Sequence, residues 1–128
     1  MADNVPSDAA WDALNRDPQA RLVDVRTEAE WRGVGVPDTA AAGAETVLLP
    51  WQFGPGAPNP EFVEGLAAAG LKPGDHLYFI CRSGARSMAA AEAARAAGYA
   101  TVYNVADGYE GSRSSTGWKA KGLPFKQI

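Results

Sequence analysis

The chain has 128 residues, 46% of them hydrophobic and 21% charged, which suits one globular domain over residues 1–128 and excludes a disordered chain. Twelve Lys and Arg against fifteen acidic residues leave a net charge of −3, so neither nucleic acid nor an anionic membrane is expected as a partner, and any bound anion must meet a local basic pocket. The opening stretch MADNVPSDAAWDAL lacks a basic region followed by an apolar core, and no stretch reaches the roughly 18 apolar residues of a membrane span; a cytoplasmic location is expected.

Ser7 is expected to cap a first helix, DAAWDALNR, with Ala10, Leu14 and Trp11 facing inward and Pro18 ending it. ARLVDVR then reads as a buried strand, followed by Thr27 as the cap of a helical turn, EAEWR. TVLLPW is a second strand stopped by Pro50, and QFGPGAPNP is loop by composition. Asn59 and Pro60 form a cap and first-position pair for a helix near EFVEGLAAAG. After the turn LKPGD, HLYFIC is a third strand, ARSMAAAEAARAAG a helix closed by Gly98, and TVYNV a fourth strand. The tail begins as polar loop, and GWKAKG is expected to make one helical turn that lays Trp118 on the body.

Apolar strands alternating with helices imply an α/β fold, with a mainly parallel central sheet of four to five strands and helices on both faces. Such folds place their sites outside the carboxyl ends of the strands. Cys81, the only cysteine, stands at such an end. A lone thiol forms no internal disulfide, which fits a reducing compartment. One Cys and one His are too few for a structural zinc, and no metal or other cofactor is expected.

Arg82, Ser83, Gly84, Ala85, Arg86 and Ser87 follow Cys81. Curled into a cradle, their amides and the first turn of the helix converge on one spot suited to negative charge. Lowering a thiol from a pKa near 8.5 to about 6.5 takes roughly 2.7 kcal/mol of preferential thiolate stabilisation. A helix N-terminus gives only about 0.3–1 kcal/mol, whereas each hydrogen bond to a charged group gives roughly 1.5–3 kcal/mol. Two or three loop amides, with Arg82 and Arg86 beside them, are enough without a histidine base. His76 suits that role badly, because its odd separation from Cys81 along one strand sends the two side chains to opposite faces, about 15 Å apart if the strand is extended.

CRSGARS resembles the active-site loop of the rhodanese family of sulfurtransferases. LVDVRTEAEW resembles the early motif of that family at Asp24, Arg26, Glu30 and Trp31, and YNVADGYEG with Trp118 resembles its late motif. The order of the three is the family's. Val34-Gly35-Val36-Pro37-Asp38-Thr39 departs from the usual Gly-His-Ile-Pro-Gly-Ala, so nothing catalytic is assigned to that turn. Asp107 replaces the first of two customary glycines, and SRSST delays the tryptophan; these changes bear on the surface that meets the acceptor.

The resemblance implies a double displacement, in which the Cys81 thiolate takes the outer sulfur of a small anionic donor such as thiosulfate and a thiophilic acceptor then removes it. A cellular thiol or a thioredoxin-like protein is the expected acceptor. Arg86 and the loop amides would hold the departing sulfite, Arg82 would steer the anion in with support from Ser83, and Ser87 would cap the helix and bond the sulfur. Asp24 and Arg26 share a face and read as a buried pair bracing the loop. Glu28, Glu30 and Glu92 read as solvated helix faces, and Trp11, Trp31 and Trp118 as packing. Trp51, beside Phe53 in the Pro/Gly-rich loop, is a candidate for lining the pocket.

Two other functions share these features. A cysteine phosphatase or arsenate reductase typically places Arg sixth after its cysteine; here Ser87 holds that position and Arg86 comes one earlier, a narrower cradle that favours sulfur over phosphoryl. A non-catalytic persulfide carrier or sensor needs the same loop without fast turnover.

Overall fold

The apolar runs pair side by side in a single parallel sheet. The computed structural model describes residues 2–112 and 115–128. Its elements are β1 (Asp3–Val5), α1 (Ser7–Arg16), β2 (Ala20–Asp24), α2 (Glu28–Val34), β3 (Val36–Pro37), β4 (Val47–Leu48), β5 (Gln52–Gly54), β6 (Ala57–Pro58), α3 (Phe62–Ala68), β7 (His76–Ile80), α4 (Ala85–Ala96), β8 (Thr101–Val105) and β9 (Phe125–Lys126). The main sheet has five strands in the order β1-β8-β7-β2-β4, every neighbouring pair parallel.

Alternation along each strand sorts side chains between two apolar layers. Leu22, Tyr78 and Ile80 point to the layer covered by Ala10 and Leu14 of α1 and by Trp118. Val23, Leu77, Phe79 and Cys81 point to the other, against Phe62 and Leu66 of α3 and Ala90, Ala91 and Ala94 of α4. The alanine-rich face of α4 lets that helix sit close to the sheet. Helices therefore cover both faces, as a parallel sheet requires.

Several local expectations change. Ser7 does not cap α1: Pro6 holds the cap position, and Ser7, the first helical residue, donates its N–H to Asp107 Oδ1 at 3.0 Å and its hydroxyl to Oδ2 at 2.9 Å. A carboxylate from the far end of the chain thus serves the α1 N-terminus. Asn59 does not cap α3 either; its Oδ1 accepts from Glu61 N at 3.0 Å in a turn before the helix, and Glu61 takes the cap position. Thr27 caps α2 as expected, with Glu30 closing the capping box.

The segment read wholly as loop contains the antiparallel pair β5–β6. Trp51 meets Phe62 edge-on, ring centroids 5.0 Å apart, and packs half-buried against the core, while Phe53 is exposed. β3 pairs antiparallel with β9. Trp118 is fully buried, lies 5.9 Å from Trp11 and donates its Nε1 to Pro124 O at 2.6 Å. Within SRSST, Arg113 and Ser114 lie outside the described residues.

Candidate active site

β7 runs through the middle of the sheet and releases the chain at Cys81, which opens toward the start of α4. Cys81 Sγ stands 3.2 Å from Gly84 N, 3.4 Å from Ser87 N and 3.2 Å from Ser87 Oγ. Two amides and a hydroxyl thus surround the sulfur, within the number of donors expected. Ser87 does not cap α4; Gly84 does, at φ 106°, leaving the Ser87 side chain free for the sulfur. The thiol is 1% exposed and its inner side meets the apolar layer beneath α4, so polar contact is confined to the loop side.

The curvature of this loop depends on glycine at two places. A Cβ on Gly84 would stand 2.4 Å from Ala106 O, and one on Gly108 (φ 67°) would stand 2.3 Å from Arg82 O. The segment after β8 therefore presses against the underside of the loop. Tyr109 N donates to Cys81 O at 2.8 Å and Glu110 N to Arg82 O at 3.0 Å, which fixes the backbone on both sides of the reactive position.

The two loop arginines sit in different surroundings, and Arg86 departs from expectation. The Arg86 guanidinium forms a two-point pair with Glu30, Nη1 to Oε1 at 2.7 Å and Nη2 to Oε2 at 2.9 Å, so it is committed before any sulfite arrives. Glu30 is correspondingly not a solvated helix residue. Burial pushes its carboxyl up, but the Arg86 and Thr27 hydrogen bonds and the Arg86 charge outweigh this and hold it at about 2. Arg82, its side chain 65% exposed, has Nε 3.4 Å from Glu110 Oε2. Neither guanidinium hydrogen-bonds the sulfur among the described residues; the charge around Cys81 comes as pairs, and the direct donors are the loop groups.

Asp24 and Arg26 form the buried brace that their shared face suggests. Their side chains are fully buried and 2.7 Å apart, Arg26 Nη2 also donates to Gly35 O at 2.8 Å, and its guanidinium carbon lies 4.1 Å over the Tyr109 ring. The brace reaches the reactive loop through Tyr109. His76 begins β7 with Nδ1 2.5 Å from Asp17 Oδ2, at the opposite end of the strand from Cys81. Ser83 on the loop and Ala85 at the start of α4 are exposed, and Ser83 lines an open depression with Arg82, Glu110, Gly111 and Ser112.

Three contributors escaped the sequence reading as site residues. Asn104, buried in β8, lies 2.5 Å from Ser87 Oγ through Oδ1; an Asn within an apolar strand was the available signal. Gly108 and Tyr109 support the loop, and only the late motif pointed to them.

The sequence profile of the STR4 middle domain family matches residues 3–128. The chain belongs to the rhodanese-like family. It is 43% identical to Rv0390 of M. tuberculosis, whose crystal structure superposes with a TM-score of 0.88, covering 100% of this chain and 99% of that one. Rhodanese-like domain-containing protein 4 of Arabidopsis thaliana, a chloroplastic protein, is 30% identical over 117 residues, 91% of this chain and 24% of that protein. Thiosulfate sulfurtransferase 18 of the same plant is 36% identical over 92 residues, 70% of this chain and 63% of that protein. At the level of the family, this rhodanese-like chain is a sulfurtransferase-type protein. None of its described helices is long and apolar enough to cross a membrane.

Proposed function

We propose that this chain transfers sulfane sulfur through a persulfide on Cys81. The observation that carries the proposal is the convergence of Gly84 N, Ser87 N and Ser87 Oγ on one sulfur at the end of β7. The Cys81 thiolate attacks the outer sulfur of thiosulfate, the sulfur–sulfur bond of the donor breaks, and sulfite leaves with the electron pair. An acceptor thiolate then attacks the outer sulfur of the persulfide; the bond to Sγ breaks and the Cys81 thiolate returns.

Because Arg86 is already paired with Glu30, the donor's oxyanion is assigned to exposed Arg82, to Ser83 and to the amides of the loop. The same pairing counts against phosphoryl chemistry, because Arg86, the arginine at the helix end of the loop, is not free to grip a tetrahedral phosphoryl group. A small thiol or a thioredoxin-like protein is the proposed acceptor, in a reducing compartment such as the cytoplasm, where a single thiol remains available. A carrier role is the second reading, favoured by the 1% exposure of Cys81, which would shelter a stored sulfur.

Intact-mass measurement after thiosulfate treatment tests the proposal. A gain of about 32 Da, reversed by reductant and absent in Cys81→Ala, is expected. No gain would overturn it, and phosphate release from an aryl phosphate above that of Cys81→Ser would replace it with the phosphatase reading. A persulfide that forms but passes to no acceptor would assign the carrier role.

A further inference from the structure

Asn104 is almost completely buried, and its amide orientation is fixed by its neighbours. Nδ2 lies 3.1 Å from Gly84 O and 2.9 Å from Asn4 Oδ1. A backbone carbonyl only accepts, so the nitrogen must face Gly84 and the oxygen must face Ser87. Ser87 Oγ is 2.5 Å from that oxygen and 3.2 Å from Cys81 Sγ. Two acceptors thus face a hydroxyl that carries one hydrogen.

We propose that Asn104 is a positioning residue that competes with the Cys81 sulfur for the single hydrogen of the Ser87 hydroxyl. When Sγ is protonated, the S–H donates to Ser87 Oγ and the Ser87 hydrogen goes to Asn104 Oδ1. When Sγ ionises, the hydroxyl rotates toward it, and the Ser87–Asn104 bond is lost. When Sγ carries a second sulfur, the negative charge moves outward and the hydroxyl returns to Asn104. No covalent bond changes in this step; the hydroxyl only turns. The inference rests on Cys81 being the reactive sulfur of the proposed function, and it adds a device that sets how readily that sulfur ionises.

The charged and titratable groups around the sulfur come from five segments: Arg82 from the loop, Arg86 from α4, Glu30 from α2, Asp24 and Arg26 at the end of β2, and Tyr109 and Glu110 after β8. The charged ones are paired as Arg86–Glu30, Arg82–Glu110 and Arg26–Asp24. Asn104 touches none of these pairs, so exchanging it leaves their field in place.

The test is the pH profile of Cys81 alkylation by iodoacetamide in the wild type, Asn104→Leu, Ser87→Ala and the double variant, with thermal unfolding as the check of folding. Without its Asn104 acceptor the Ser87 hydrogen is free for the thiolate, and the alkylation midpoint of Asn104→Leu falls by roughly one pH unit. In the Ser87→Ala background the same exchange moves the midpoint by less than about 0.3 unit, because the effect travels only through the hydroxyl. An upward shift in Asn104→Leu, or an equal shift with and without Ser87, would overturn the proposal and leave Asn104 as a support for Gly84. If leucine prevents folding, Asn104→Val removes the same acceptor with a residue that strands accommodate, and the same two outcomes decide. Alkylation needs no sulfur donor, so failure of persulfide formation and failure of this inference are read separately.

Discussion

The Arg86 guanidinium and the Glu30 carboxylate meet fork to fork, at 2.7 and 2.9 Å, tying the helix after the cysteine loop to the helix after β2. Glu30 also accepts from Thr27 N at 3.1 Å, so one carboxylate holds two elements together. Its pKa drops from the ordinary 4.5 to about 2, which makes the bond a term in acid stability. A group depressed on folding contributes above its unfolded pKa and stops contributing as pH falls through the folded one. Wild type is therefore expected to exceed Glu30→Gln by roughly 1–2 kcal/mol at neutral pH, after allowance for solvent screening. Denaturant titrations at several pH values should show the gap closing between 4.5 and about 2; a gap independent of pH would mean the charge is not what Arg86 uses.

The brace beneath the loop gives a second expectation. Arg26→Leu strands the Asp24 carboxylate in a fully buried place and should cost about 3–5 kcal/mol in urea unfolding. Replacing both residues by leucine should cost less than Arg26→Leu alone, since no isolated charge remains. Equal losses would show that Arg26 matters for its packing on Tyr109.

Glycine substitutions separate close approach from backbone conformation. Gly84→Ala and Gly108→Ala combine positive φ with backbone atoms at 2.4 and 2.3 Å, whereas Gly98, also at positive φ (109°), has nothing within 4 Å. Gly98→Ala should therefore lose only about 1 kcal/mol, and the other two more than about 2 kcal/mol, together with most thiosulfate-dependent mass gain. Similar losses at all three positions would contradict the role given to the contact between the loop and the segment after β8.

Asp107 supplies a fourth test. It accepts from Ser7 twice and from Lys121 Nζ at 2.6 Å, so the departure from the family's customary glycine has a local purpose. Asp107→Gly should lower stability by about 2 kcal/mol and Lys121→Met by about 1 kcal/mol. Hydrogen exchange should quicken at the first turn of α1 in Asp107→Gly. Unchanged protection there would detach Asp107 from the helix start.

Much of this architecture is legible in the residues because the apolar runs HLYFIC and TVYNV have few other ways to be buried. The reactive position is legible for a related reason: a thiol between an apolar strand and a loop of small and basic residues has a short list of physical uses. β1 escaped notice because the polar tripeptide DNV becomes a strand only by pairing with β8. The bond from Ser7 to Asp107 spans 100 positions and leaves no local trace, so Ser7 looked like a cap. The charge of Arg86 is visible in CRSGARS and points to the substrate; what satisfies that charge lies 56 positions earlier, beyond the reach of spacing.

The outermost strand has a practical consequence for handling the protein. Asn4 Oδ1 bonds the Asn104 amide at 2.9 Å, Val5 O accepts from Ala106 N at 3.0 Å, and Ser7 follows on Asp107, so the first residues are stitched to the chain around the sulfur. An affinity tag or a trimmed start placed there would perturb reactivity and be mistaken for a property of the thiol. Ile128, 54% exposed at the other end, is the safer point of attachment.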